Sequence, residues 1–202
     1  MPGPRLLVGL GNPGSRYTET RHNAGFWFVE RLVSAKGARF RAEARCHGDA
    51  ALLPATGGDC RVLKPSTFMN DSGRTVRACM DYYRLDPDML MVAHDEIDLP
   101  PGSARLKFGG GAGGHNGMRD IIECLGHGDF LRLRIGVGHP GHRDDVIRYV
   151  LEPAPVRERA LIDVAIGQAL EVVPLLFADQ LQKAMTALHT AADCSGEPGT
   201  AV

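Results

Sequence analysis

Five consecutive apolar residues, Met89 to Ala93, run directly into His94-Asp95-Glu96 and then Asp98. A run of that kind without alternation reads as a strand covered on both faces, the state of a central strand in an α/β sheet. The acidic cluster at its end fits neither a helix start nor a simple turn. In α/β proteins such strand ends face a crevice, where a rigid sheet presents side chains for chemistry. The chain then turns at Leu99-Pro100-Pro101-Gly102 and returns as a strand from Ala104 to Phe108 with Arg105 and Lys107. It next enters Gly109–Gly114, a glycine run broken only by Ala112. His115 or Asn116 opens a helix whose inner face carries Met118, Ile121, Ile122 and Leu125. No GK[ST] follows the glycines, so this is not a P-loop.

The other segments fit the same class. Leu6 to Leu10 reads as a short buried strand, and Gly9, Gly11 and Gly14 spell G-x-G-x-x-G. A dinucleotide site needs a helix starting at those glycines and a second strand ending in an acid about 20 residues on. Here Asn12-Pro13-Gly14 is a turn and the next helix starts only near Asn23, with Phe26, Val29, Leu32 and Val33 on one face and Gly37 as its stop. Nucleotide binding is therefore set aside. Phe40–Pro54 reads as an edge hairpin and Cys60–Lys64 as a strand ended by Pro65. Asn70, Asp71 or Ser72 caps a helix carrying Val76, Cys79, Met80 and Tyr83. Leu131–Val137 is a strand, and Asp144 caps a helix to Val150. Glu152–Val156, with two prolines, is a candidate lid. Val156–Phe177 and Asp179–Ala191 are expected as two helices with a break near Pro174.

With 202 residues, 44% hydrophobic and 23% charged, the chain fits one globular domain, 1–193, with a disordered tail at 194–202. Its net charge of -1 gives no general attraction for polyanions, so any nucleic-acid contact must come from a local patch. Arg105, Lys107, Arg119, Arg132, Arg134, His142 and Arg143 supply one, or else a solvated sheet edge. Five cysteines with no CxxC pair suggest neither a disulfide framework nor a cysteine zinc site, and point to a reducing cytoplasm. No run of about 18 uninterrupted apolar residues calls for a membrane.

Strand ends and the glycine loop contribute Asn12, His22, Asn70, Asp95, His115 and Asn116. Each alone has a bland explanation: an Asx turn before Pro13 for Asn12, a partly exposed cap neighbour for His22, a cap for Asn70. Together they describe a hydrolytic centre. A histidine with a carboxylate makes a general base near neutral pH. No serine or cysteine stands in a nucleophile elbow, so water is the expected nucleophile. Neutral amides suit a developing oxyanion, and the expected reaction is hydrolysis of an ester or similar acyl group.

GLGNPGSRYTETRHNAGF, KPSTFMNDSG, HDEIDLPPGSARLKFGGGAGGHNGMRDI and LRIGVGHP, in this order from Leu6 to about Pro140, resemble the motifs of bacterial-type peptidyl-tRNA hydrolase. The resemblance implies a single α/β domain with a mixed twisted β-sheet sandwiched between helices, acting as a monomer without metal or cofactor. It implies cleavage of the ester between a peptide and the terminal ribose of tRNA. Carried over by position, His22 is the base and Asp95 orients it. Asn12, Asn70 and Asn116 bind peptide, water or oxyanion, with Met69 and His115 lining the cleft and Tyr17 near its entrance. Lys107 and Arg134 match positions for the 5′ phosphate region of tRNA. Ala112 departs from the family's usual histidine. The rivals are an RNA-binding protein that keeps the fold without hydrolysis, and a metallohydrolase using His22, His94, His115 and Asp95, which no HExxH-type spacing supports.

Overall fold

The computed structural model describes residues 3–56 and 58–194. Strands β1 (Leu6–Gly9), β2 (Arg41–Glu43), β3 (Gly48–Leu53), β4 (Cys60–Pro65), β5 (Leu90–Glu96), β6 (Ala104–Phe108) and β7 (Leu131–Gly136) form one sheet in the order β2-β3-β4-β1-β5-β7-β6. The central pairings β4-β1, β1-β5 and β5-β7 are parallel, and the edges β2-β3-β4 and β7-β6 are antiparallel, so the sheet is mixed. Helices cover both faces. On one side α1 (Ala24–Ala35), α5 (Val156–Phe177) and α6 (Leu181–Cys194) pack on Leu7, Met91, Ala93, Leu106, Leu133 and Ile135. On the other, α2 (Ser72–Tyr83) and α3 (Asn116–Leu125) pack on Leu6, Val8, Leu63, Leu90 and Val92. Helix α4 (Val146–Leu151) lies between β7 and α5 in the chain. Because α1 and α2 leave β1 and β4 toward opposite faces, a crevice opens beyond the carboxyl ends of β1, β4 and β5.

The glycines of G-x-G-x-x-G serve packing. A Cβ on Gly9 would lie 2.4 Å from the Gly25 carbonyl oxygen, and one on Gly11 would meet the Phe26 ring at 2.6 Å. The start of α1 is thus pressed against β1, and the Phe26 amide donates to the Leu10 carbonyl at 3.1 Å. That contact is where a pyrophosphate would need room.

Three expectations are corrected. Strand β5 does not end at Ala93: it continues through Glu96, because β7 pairs with it along His94↔Arg134, Asp95↔Ile135 and Glu96↔Gly136. Helix α5 ends at Phe177 as expected, but the break before α6 is not at Pro174, which falls in the last turn of α5, and α6 starts at Leu181 instead of Asp179, which is left-handed at φ 59°. The cap of α4 is Asp145, with Asp144 in the preceding turn. The expected disordered tail lies outside the described residues beyond Cys194, which itself ends α6. Helix α5, 22 residues with hydropathy 1.8, is by length and composition long enough to cross a membrane. Charged residues interrupt it, which is why no uninterrupted apolar run marks it. Its stripe of Ile162, Ala165, Ile166, Ala169, Val172 and Val173 belongs to the core under the sheet.

A methyl group at Gly25 would sit 2.3 Å from the Ala93 carbonyl oxygen and 2.5 Å from the Leu10 nitrogen. Gly25→Ala should therefore cost about 1–3 kcal/mol of unfolding free energy, read from urea denaturation.

Candidate active site

The crevice is organised around one buried carboxylate. Asp95, 3% exposed, lies at the end of β5. Both of its oxygens are 2.9 Å from His22 Nδ1, and Oδ1 is also 3.0 Å from His115 Nε2. The bonds assign the tautomers. His115 Nδ1 accepts the Met118 amide at 3.3 Å as the cap of α3, so its proton sits on Nε2 and is donated to Asp95. His22 donates from Nδ1 and keeps Nε2 as an acceptor. Burial by itself pushes the Asp95 carboxyl up, yet the positive potential of His22 and His115 and their hydrogen bonds hold it well below the usual carboxylate range. His94, also buried, turns its Nδ1 to the Asp95 carbonyl at 2.7 Å and packs edge-on to the His115 ring, centroids 5.0 Å apart. Burial first, and His115 second, push its imidazole down to about 4.

The amides are held by long-range bonds. Asn12 makes no Asx turn: its Oδ1 accepts the Met69 amide at 2.8 Å, and its own backbone is clamped by Asn23, whose Oδ1 accepts the Asn12 amide at 2.8 Å and whose Nδ2 donates to the Asn12 carbonyl at 3.1 Å. Asn12 Nδ2 is left without a partner among the described residues. Met69 is buried, and a Cβ on Gly117 would lie 2.5 Å from its sulfur, so the start of α3 abuts the turn bearing Met69 and Asn70. Asn70 does not cap α2, whose N-cap is Asp71 without a side-chain bond; it is exposed. Asn116, also exposed, is the first residue of α3 and accepts Arg119 at 3.3 Å. Tyr17 meets Phe68 edge-on at 6.2 Å.

The basic residues divide. Lys107 is exposed on β6. Arg134 is joined to Glu96 at 2.7 Å. Arg132, counted with the surface patch from its alternation, is instead buried, and its guanidinium donates to the carbonyls of Gly110, Gly111 and Gly128. The proline-containing segment after α4 is pinned to the loop before His22: Thr20 bridges Pro153, Ala154 donates to Glu19 at 3.2 Å, and the Arg21 guanidinium donates to the Tyr149 and Glu152 carbonyls and the Glu158 carboxylate. Sequence reasoning missed Asn23, Glu96, Phe68 and the buried role of Arg132. Only Phe68, an aromatic inside a polar cap motif, carried a local signal.

His22, Asp95 and His115 are also the one group of three potential metal ligands among the described residues, with ligand atoms within 4.8 Å of one another. Their atoms are already paired at hydrogen-bond distances, and a metal would have to replace both bonds to Asp95.

A helix-flanked mixed sheet with a buried histidine–carboxylate pair and neutral amides at its carboxyl edge places the chain among single-domain α/β proteins with a polar crevice at the strand ends. The family model for peptidyl-tRNA hydrolase matches residues 6–195, and the chain belongs to that family. It is 49% identical over 193 residues to the peptidyl-tRNA hydrolase of Xanthomonas oryzae pv. oryzae, covering 96% of this chain and 100% of the relative. It is 51% identical to that of Halorhodospira halophila, covering 92% and 95%. The crystal structure of peptidyl-tRNA hydrolase from Acinetobacter baumannii superposes with TM-score 0.89 at 47% identity, covering 93% of this chain and 95% of that one.

The neutral state of His94 is favoured only in the folded protein, so an unfolded chain takes up a proton near the ordinary value of 6.5 that the folded one refuses until about 4. Stability should therefore fall as pH drops through this window, by up to about 1.4 kcal/mol per pH unit. Denaturation midpoints measured across the window should show a shallower fall for His94→Asn.

Proposed function

We propose that this family member hydrolyses the ester joining peptide to tRNA with His22 as general base and Asp95 as the group that orients it. The observation that carries the reading is the buried Asp95 carboxylate accepting a hydrogen bond from His22 Nδ1–H, which leaves Nε2 to accept a proton from water. The water attacks the ester carbonyl, and the oxyanion that forms is stabilised by uncharged amides, with Asn12, Asn70 and Asn116 as the donors at hand; the oxyanion then collapses, the bond to the ribose oxygen breaks, and that oxygen leaves with the proton returned from His22 Nε2. His115 completes the pairing of Asp95, so that a single carboxylate fixes two imidazoles. Met69 lines the floor of the cleft and Tyr17, with Phe68, its rim.

Peptide is distinguished from a free aminoacyl group by charge. A free ammonium would lose hydration against Met69 and the amides, whereas a peptide N–H is paired easily. Lys107 and Arg134 meet the phosphates at the acceptor end of the tRNA. The protein works as a monomer in the cytoplasm without a metal. Cys46, Cys60, Cys79 and Cys124 are free thiols, which supports a reducing compartment.

N-blocked aminoacyl-tRNA should be cleaved and free aminoacyl-tRNA spared, followed by release of labelled acyl group. His22→Ala should lower turnover about 10²–10⁴-fold with tRNA affinity retained. Wild-type turnover in that variant would remove His22 from the mechanism, and a wild-type protein that binds tRNA without cleaving it would return the RNA-binding reading. Activity should survive chelation, because no step uses a metal. Lys107→Ala should weaken binding and reduce the slope of log affinity against log salt by about one.

A further inference from the structure

The buried Arg132 has a task that neither its place on a basic strand nor the hydrolytic reading accounts for. It is 4% exposed, and both of its terminal nitrogens donate to backbone carbonyls: Nη1 to Gly111, Nη2 to Gly110 and, at 3.1 Å, to Gly128. The loop it holds has little support of its own. Gly109, Gly110, Gly113 and Gly114 all have positive φ, between 58° and 112°, which side-chain-bearing residues rarely adopt. Such a segment has no side chains of its own with which to pack, apart from Ala112, which rests on the core under α3. It leads directly to His115, whose amide donates to the Ala112 carbonyl at 2.9 Å and whose ring holds Asp95. Lys107 lies against it, since a methyl on Gly110 would come within 3.2 Å of Lys107 Nζ.

We infer that Arg132 is a positioning residue for hydrolysis: by gathering the carbonyls of Gly110, Gly111 and Gly128 it holds the glycine loop, and through it His115, in the arrangement that Asp95 requires. Its charge is absorbed by those carbonyls and is not offered to tRNA phosphates. The guanidinium fork suits three carbonyls spread over two loops, whereas a lysine ammonium is a point charge that cannot span them equally. Gly128 belongs to the same device. A Cβ there would lie 2.4 Å from the Gly110 carbonyl oxygen and 3.1 Å from Arg132 Nη2, so this close approach depends on a residue without a side chain.

The inference rests on the proposed His22–Asp95 chemistry for its kinetic consequence but has a readout that needs no substrate. In Arg132→Lys, amide order parameters of residues 110–114 should fall from the rigid range of about 0.85 to below about 0.6. With N-blocked aminoacyl-tRNA, kcat should drop about 10–100-fold while KM changes little, and the salt slope should equal that of the unaltered protein. Gly128→Ala alters no charge and should reproduce the loss in kcat and the loosened loop; it also serves if Arg132→Lys fails to fold. Unchanged order parameters in both variants would overturn the brace. A salt slope reduced by about one in Arg132→Lys, as for Lys107→Ala, would overturn it in favour of a phosphate contact. If the unaltered protein cleaves nothing, the hydrolytic reading fails, while the order parameters still decide the role of Arg132.

Discussion

Asp95 is the group on which the rest of the centre depends. Burying a carboxylate costs several kcal/mol unless it is paired and hydrogen-bonded. Here the partners come from two separate parts of the chain, His22 just before α1 and His115 at the cap of α3. The carboxylate therefore does more than hold one imidazole. Its own burial is acceptable only when both flanking segments are docked, so folding of the crevice and assembly of the His22–Asp95 pair are one event. The depressed Asp95 carboxyl expresses the same coupling: both imidazoles favour its charged form, and removing either would leave a buried charge short of partners.

Close backbone approach makes that docking possible. Gly9, Gly25 and Gly117 each stand where a single methyl group would collide with a neighbouring backbone or with Met69. The consequence is that α1 and α3 both begin within reach of the ends of β1 and β5, and the side chains at those beginnings converge without long flexible reach. Rigid placement of this kind is worth more to catalysis than extra contacts, since misplacement by about 1 Å costs on the order of 10²-fold in rate.

Much of this was legible residue by residue. The apolar run Met89–Ala93 marked the central strand, and the helices of Phe26, Val76 and Met118 followed from their spacing. The convergence of His22, Asp95 and His115 came from a likeness of motifs, since nothing local says that residues 73 positions apart will meet. What stayed hidden was decided by partners distant in the chain. His94 to Glu96 read as a strand end because their pairing with β7 cannot be seen from β5 alone. Arg132 and Arg134 have the same place in the alternation of β7, yet one is buried and the other is joined to Glu96 at the sheet surface. The difference is the glycine loop folding back over one of them, a tertiary event with no local signature. Asn23 was hidden for the same reason: beside a helix start its amide looks like a cap, and only the fold turns it toward the backbone of Asn12.

The distribution of charge bears on how a protein of net charge -1 can serve a polyanionic substrate. Of the cations on β6 and β7, Arg132 is enclosed by carbonyls and Arg134 is already bonded to Glu96, whose carboxyl is held below its usual range chiefly by that bond against the cost of burial. Among those three, Lys107 alone is exposed. A phosphate arriving at this face must therefore share Arg134 with Glu96, and it gains less than from a free cation. That restraint suits the proposed reaction, because the tRNA phosphates are identical in substrate and product. Binding energy drawn from them lowers KM and slows product release equally, without lowering the barrier to attack on the ester. In the proposed mechanism specificity and rate must then come from the peptide end, which that mechanism assigns to the neutral amides and the Asp95-held imidazoles, and a strongly basic cleft would work against turnover.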